Sequence, residues 1–386
     1  MAKHLFGIAT VVISFAGILS GGCGGSSTTA TQLPSSLAGT GTVTTIAVGD
    51  SPADIAITPD NRFAYVANDN NDSLPNGNTV SVIDLKSNTV VATISDPGFN
   101  QPYTITLNAA GTIAYVTNSN STTITLINTA TNQVMGAIDG FDGPSGMVIT
   151  PDGKKAYVNN YGGPNGVGSG NATTIRVVDL TTNAITGEPI TVGLAPASLA
   201  ITPDGAFVHV INYVDGNPGT GTISKLRTSD NTVVATILGF SGPFKIAITS
   251  DGKHAYVTNF GSNNFSPVGT TVSVVDLTNN AITSTINLGT QPAGIAITPD
   301  GRSALVSNYN TLYLGPKYTK LTPGQGTVDI IDIATNTVRC NSVIVGASPA
   351  DIAISQDGTH AYVSYYSGNA IGVINIADIM SLNTCS

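Results

Sequence analysis

The sequence has no tryptophan, one glutamate (Glu188), four histidines and three cysteines among 386 residues, and only 10% of its side chains are charged. Each scarcity removes a class of chemistry. A single glutamate and scattered histidines supply no catalytic pair of glutamates and no histidine-rich metal centre. The 14 Lys and Arg residues form no run, so nucleic acid is not an expected partner. No G-x-S-x-G elbow occurs: Gly166-Val167-Gly168-Ser169-Gly170 has the wrong spacing, and it opens no helix, which also excludes a dinucleotide fingerprint. Asp69-Asn70-Asn71-Asp72 lacks the glycine and the terminal glutamate of a calcium loop. No metal and no cofactor is expected. No apolar run reaches the ~20 residues that a spanning helix needs.

The one apolar run, residues 5–19, follows Lys3 and His4 and precedes Ser20-Gly21-Gly22-Cys23. A charged start, an apolar centre and a small-residue site read as a secretory signal over residues 1–22. Cys23 stands where a bacterial lipoprotein carries its lipid, although Leu19 lies four residues before it rather than three. The alternatives are a lipid-anchored chain and a plainly secreted one, and any membrane contact runs through that N-terminal lipid. Residues 23–41 are mostly Gly, Ser, Thr and Ala and read as a tether. The expected location is the periplasm or the cell surface.

What the sequence has in abundance is β-branched runs punctuated by Gly, Pro, Asn and Asp. Residues 42–386 contain seven variants of one unit, opened by Pro52, Pro102, Pro144, Pro196, Pro243, Pro292 and Pro349 and spaced 42 to 57 residues apart. Periods of this length with four short strands each signal propeller blades. Many strands are apolar on both faces, as Val272-Ser273-Val274-Val275 shows, which suits sheets stacked face to face. The net charge of −9 does not imply an acidic patch: Asp60, Asp152, Asp204, Asp251, Asp300 and Asp357 recur in one turn, and Asp84, Asp179, Asp276 and Asp332 in another. The last unit lacks a fourth strand, and residues 43–49 resemble the fourth strands elsewhere. The expectation is an all-β, seven-bladed propeller of four-stranded antiparallel blades, closed by the N-terminal strand in blade seven.

Tyr115-Val116-Thr117-Asn118 and Tyr256-Val257-Thr258-Asn259, with the variants Tyr65-Val66-Ala67-Asn68 and Tyr157-Val158-Asn159-Asn160, resemble the YVTN-family propeller repeats. That resemblance implies surface-layer-type propellers and, more distantly, seven-bladed lactonase-type propellers; it carries the fold further than the activity. Unit four departs most, with His209 in place of the tyrosine and Arg227 in place of the third-strand aspartate.

Function is expected on one end of the ring. Turns between strands one and two, and between three and four, are short and uniform; connections between strands two and three, and between blades, vary and share the opposite face. Tyr161, Tyr213, Phe260 and Tyr309 follow the second-strand asparagine, and Tyr366 occupies the same place in unit seven. They read either as a face that stacks on sugars or peptides, or as rings that cover the blade tops. The long connection of unit six carries Tyr313, Lys317, Tyr318 and Lys320. At the channel mouth the residue two after each opening proline gives Asp54, Thr104, Gly146, Ser198, Lys245, Gly294 and Asp351, where two carboxylates could meet as an acid–base pair or a cation site, or simply be hydrogen-bonded channel residues. His254 and His360 share one repeat position in separate blades and are expected at the surface. Cys340 and Cys385 are candidates for a disulfide. The reading is a binding scaffold for a protein or carbohydrate with no catalytic residues assigned; its alternatives are a lactonase-like hydrolase at the channel mouth and a surface-lattice protein.

Overall fold

The computed structural model describes residues 43–69, 77–162, 172–213, 219–261, 268–309, 325–339 and 342–381. Seven antiparallel sheets follow one another along the chain, six of them in simple meander order. Blade one runs through Pro52–Ile57, Phe63–Asn68, Thr79–Asp84 and Thr89–Ser95, and the later blades repeat this plan from their own prolines. The seventh sheet is closed from both ends of the chain: Val43–Ala47 pairs antiparallel with Ala370–Asn375. The N-terminal strand therefore covers an edge that would otherwise expose a row of unpaired backbone groups. Behind it the chain continues into a short helix, Ile376–Met380, capped by the Asn375 side chain. In blade six the outer strand is split into Thr337–Val338 and Val343–Val345, and Cys340 falls between the two pieces, outside the described residues.

Burial changes across each blade in a way the residue types explain. Second strands are buried on both faces: Ala64, Tyr65, Val66 and Ala67 have no exposed surface. Outer strands alternate, as in Thr89–Ser95, because only one face meets a neighbour. Seven hydrophobic clusters each bridge two adjacent blades, as where Tyr65, Val80 and Val82 pack on Ile105, Val116 and Ile127. At ~1.5–3 kcal/mol for each fully buried Val or Ile, these interfaces hold the ring together.

Two polar devices recur. The last asparagine of the second strand ties strand two to strand three: Asn68 Nδ2 donates to Thr79 and Ser81, Asn212 to Thr222 and Ser224, and Asn259 to Thr271 and Ser273. The repeat tyrosine ties one blade to the next. Tyr65 donates to Asn132 at 2.7 Å, Tyr157 to Asn231 at 2.7 Å and Tyr256 to Asn336 at 2.6 Å. Each of those asparagines sits in the turn between strands three and four at φ of 55 to 58°, a left-handed conformation that asparagine tolerates well. The recurrent aspartates serve the other turn, as where Asp60 accepts from the Thr58 hydroxyl at 2.6 Å and from the Arg62 N–H.

Candidate functional site

The inner strands bring Asp54 of blade one, Lys245 of blade five and Asp351 of blade seven together. Lys245 Nζ lies 3.3 Å from Asp54 and 3.2 Å from Asp351. Both aspartates are 7% exposed, and the lysine side chain is 23% exposed. Asp54 also accepts the Ile105 N–H at 2.9 Å. The Asp351 backbone N–H donates to Ser364. The two carboxyl groups are close enough to influence each other's titration, one favouring its ionised and the other its protonated form. Burial pushes Asp351 well above the carboxylate range, only partly opposed by Lys245, and the charge of Asp54 adds to the rise. On Asp54 burial is outweighed by Lys245, by the bond from Asp351 and by the Ile105 N–H, so it lies below its ordinary value. Burial disfavours the ammonium of Lys245, but the two carboxyl groups more than offset this and its pKa is raised. The arrangement is an internally paired cluster: Lys245 bridges the two aspartates, with Asp54 held toward its ionised form and Asp351 toward its protonated one.

Among the described residues, the space found beside this cluster is small. A cavity of about 70 Å³ is lined by Tyr103, Thr104, Gly146, Ser198, Phe244 and Lys245 among others, and neither aspartate is on its wall. A site for a small organic ligand usually encloses about 300–1,000 Å³; this one has room for a few waters. Thr104 is itself engaged, donating to the Ser145 carbonyl at 2.6 Å. Among the described residues no group of three or more His, Cys, Asp or Glu could hold a metal ion.

Above the cluster, the aromatic side chains pack on one another. Phe244, Phe260, Tyr309 and Tyr366 form a chain with ring centroids 5.2, 5.9 and 6.4 Å apart. Tyr161 and Tyr213 pack together with Ala195 and Ala197. Phe260, Tyr309 and Tyr366 are 6–8% exposed, and Tyr161 and Tyr213 less. Tyr213 donates to the Gly261 carbonyl and Tyr366 to Asp69. These five rings are thus buried at the blade tops, Phe260, Tyr309 and Tyr366 in tilted and edge-on contact. Tyr103 and Phe244 join them, large residues directly after the opening proline where blades one, three, four, six and seven carry Ala53, Ser145, Ala197, Ala293 and Ala350. That contrast is readable in the sequence. Burial, with Asp69, Asp54 and Asp351 nearby, pushes the Tyr103 hydroxyl well above its ordinary pKa. Tyr313, Tyr318, Cys23 and Cys385 lie outside the described residues. His254 is exposed and His360 half-buried, in separate blades.

Comparison with known proteins places the fold and leaves the activity open. Residues 26–135 match the family model "Lactonase, 7-bladed beta-propeller". Two proteins of Mycobacterium tuberculosis (strain ATCC 25618 / H37Rv) are similar over short stretches. One is the PE-PGRS family protein PE_PGRS18, 42% identical over 59 residues, 15% of this chain and 13% of that protein. The other is the seven-bladed beta-propeller protein Rv1057, 33% identical over 128 residues, 33% of this chain and 31% of that protein. The chain thus spans less than a third of either relative. Among solved structures, a chain of Kuenenia stuttgartiensis hydrazine synthase superposes with a TM-score of 0.70 at 21% identity, over 85% of this chain and 96% of that one; at that identity the likeness is one of fold. The protein is a seven-bladed β-propeller whose N-terminal part, through most of blade two, matches the lactonase-type propeller model.

Proposed function

We propose that the protein is an exported, lipid-anchored propeller that binds a protein or carbohydrate at the cell envelope through the face carrying the connections between strands two and three. The observation that carries this reading is the contrast between the ring's two ends. On one end the turns are near-identical: six of the seven are closed by the same Thr–Asp or Ser–Asp bond, and that of blade two by Asn108, which accepts from the Thr112 and Ile113 N–H groups. On the other, the connection runs from Asn118 directly to Thr123 in blade two but from Asn308 to Gly326 in blade six. Divergent loops gathered at one end of a rigid scaffold are where propellers and other repeat folds place recognition. Within this reading Cys23 carries the lipid, residues 24–41 hold the ring off the membrane, and Tyr313 and Tyr318 are contact residues. The test is a glycan and peptide array probed with the mature protein and with a variant in which residues 310–324 are replaced by Asn-Gly. Binding by the first and not the second supports the reading; equal binding by both removes blade six from it.

The lactonase-type match and the meeting of Asp54, Asp351 and Lys245 favour a second reading, hydrolysis at the channel mouth. A protonated and an ionised carboxyl group side by side are the parts of an acid–base pair. Their mutual satisfaction and the 70 Å³ cavity weigh against it. Turnover of simple lactones that disappears in Asp54→Asn would establish hydrolysis and displace the binding reading.

A further inference from the structure

Each inner strand ends at the uniform-turn face in a half-buried aliphatic side chain, isoleucine in six blades and Leu107 in blade two. Between blades one and two these strand ends open into a groove of about 570 Å³, with Ile57, Pro59, Ile105, Leu107 and Ala109 on its wall. No residue on that wall is charged. Two other grooves at the same end differ in this respect. The one between blades seven and one carries Arg62, Asp84 and Lys86, and the one between blades four and five carries Asp204, Lys225 and Asp251. Gln356 of blade seven also lies on the uncharged wall, and its N–H donates to Asn61 of blade one at 2.8 Å. Ile57 and Leu107 thus keep apolar surface in water whose burial is favourable.

The chain enters the ring from this same face. Val43 pairs with Ile374, next to the end of the third strand of blade seven, so the residues before it start at the uniform-turn end. Val43–Ala47, Ala370–Asn375, His360–Tyr365 and Pro349–Ile354 lie side by side in that order. Val43 is therefore three strand spacings, ~15 Å, from the inner strand whose turn holds Gln356. Residues 23–42 carry no charge, and their only large aliphatic side chains are Leu33 and Leu37. Leu37 lies six residues before Val43 and Leu33 ten, up to ~20 and ~33 Å of extended chain. Both can cross blade seven, and the longer reach extends past Gln356 to Ile57 and Leu107. The match to the lactonase-type model begins at residue 26, ahead of the first strand, which joins this stretch to the propeller in sequence. A segment tethered so closely has an effective concentration in the ~mM range, which favours it over a second copy or a free partner. We propose that the groove between blades one and two seats the chain's own N-terminal segment, with Leu37 beside Gln356 and Leu33 against Ile57 and Leu107. The contact shortens the free chain between Cys23 and the ring from residues 23–42 to residues 23–32, and it holds to the uniform-turn face whether or not Cys23 carries a lipid.

Hydrogen–deuterium exchange of the unaltered mature protein, residues 23–386, tests this without any variant. The amides of residues 33–37 should exchange at least about tenfold more slowly than in a free peptide of the same sequence. Leu33→Ser combined with Leu37→Ser should return them to the peptide rate, and both changes lie outside the strands of the ring. Exchange at the peptide rate in the unaltered protein overturns the proposal, as does slow exchange that survives the double change. The place of the contact is read by photo-crosslinking from p-benzoylphenylalanine at position 33 and, separately, at position 37, in a mixture of ¹⁴N- and ¹⁵N-labelled protein. The expected products join position 33 to residues 56–59 or 105–109, and position 37 to the turn around Gln356, within one chain. Products that join two chains would give the groove to a second copy, and products elsewhere on the ring would give the segment another seat; either overturns the proposal.

Discussion

Asparagine at position 351 should be nearly silent at neutral pH, whereas methionine at position 245 should be among the most damaging single changes in the protein. In the native cluster burial holds Asp351 toward its protonated form beside Asp54, while Lys245 neutralises Asp54. Asp351→Asn keeps a donor of the same shape in the same place, so the change is within about 1 kcal/mol. Lys245→Met leaves a buried negative charge without its cation, a loss of about 3–5 kcal/mol. Asp54→Asn falls between, because Asp351, 3.2 Å from Lys245, can ionise in its stead. The pH dependence separates these roles further. The folded pKa of Asp351 is raised, so the stability it contributes is fully present below its unfolded pKa of about 3.9 and is lost as pH rises toward the folded value, by up to about 1.4 kcal/mol per pH unit. Asp54 has the opposite sign: its contribution is present above about pH 3.9 and is lost as pH falls through its depressed folded pKa. Lys245, raised, contributes below about pH 10.4 and loses this only as pH climbs through its folded pKa. Urea unfolding of the wild type and the three variants between about pH 4 and pH 7 reads all of this. Asp351→Asn should lack the component of falling stability that Asp351 gives the wild type over that range. An Asp351→Asn variant as weak as Lys245→Met, or one with an unchanged pH profile, would refute the proton assignment.

Tyr157→Phe removes the hydrogen bond to Asn231 and should cost about 1 kcal/mol by the same urea assay, while Tyr157→Ala also opens a cavity at the interface of blades three and four and should cost about 3–5 kcal/mol. His209→Tyr alone crowds Lys225, but the double change His209→Tyr with Lys225→Val rebuilds the pair used by Tyr65 and Val82; a double-mutant cycle should show a favourable coupling of about 0.5–3 kcal/mol. Deleting residues 43–47 uncovers Ala370–Asn375 as a free edge, and size-exclusion chromatography should show concentration-dependent association that the intact chain does not.

Much of the ring was legible because its signals are local and repeated. Each opening proline begins an inner strand, each Asp-Gly or its kin makes the turn that follows, and the missing fourth strand of unit seven was found at residues 43–47. The meeting of Asp54 with Asp351 followed from ring order alone. That Lys245 would reach both did not, because its reach across the channel depends on the ring's diameter and on small neighbours such as Gly294, which packs against the Asp351 backbone. The aromatic residues illustrate the limit of position without packing: Tyr161, Tyr213, Phe260, Tyr309 and Tyr366 were placed at the correct end, but whether rings there face solvent or one another is set by contacts between blades. His209 is visible as a departure from the repeat, but its strand-three partner Lys225 becomes recognisable only once the register is known, where a lysine faces a histidine and the other blades pair tyrosine or leucine with an apolar residue.

The claim that recognition belongs to the variable face, with the channel cluster as structure, is tested most directly by hydrogen–deuterium exchange of the mature protein with and without an array-derived ligand. The account predicts slowed exchange in the connections between strands two and three, blade six foremost, with the inner-strand residues around Asp54, Lys245 and Asp351 unchanged. Protection confined to those inner strands, with the connections unaffected, would contradict it and return the working site to the channel.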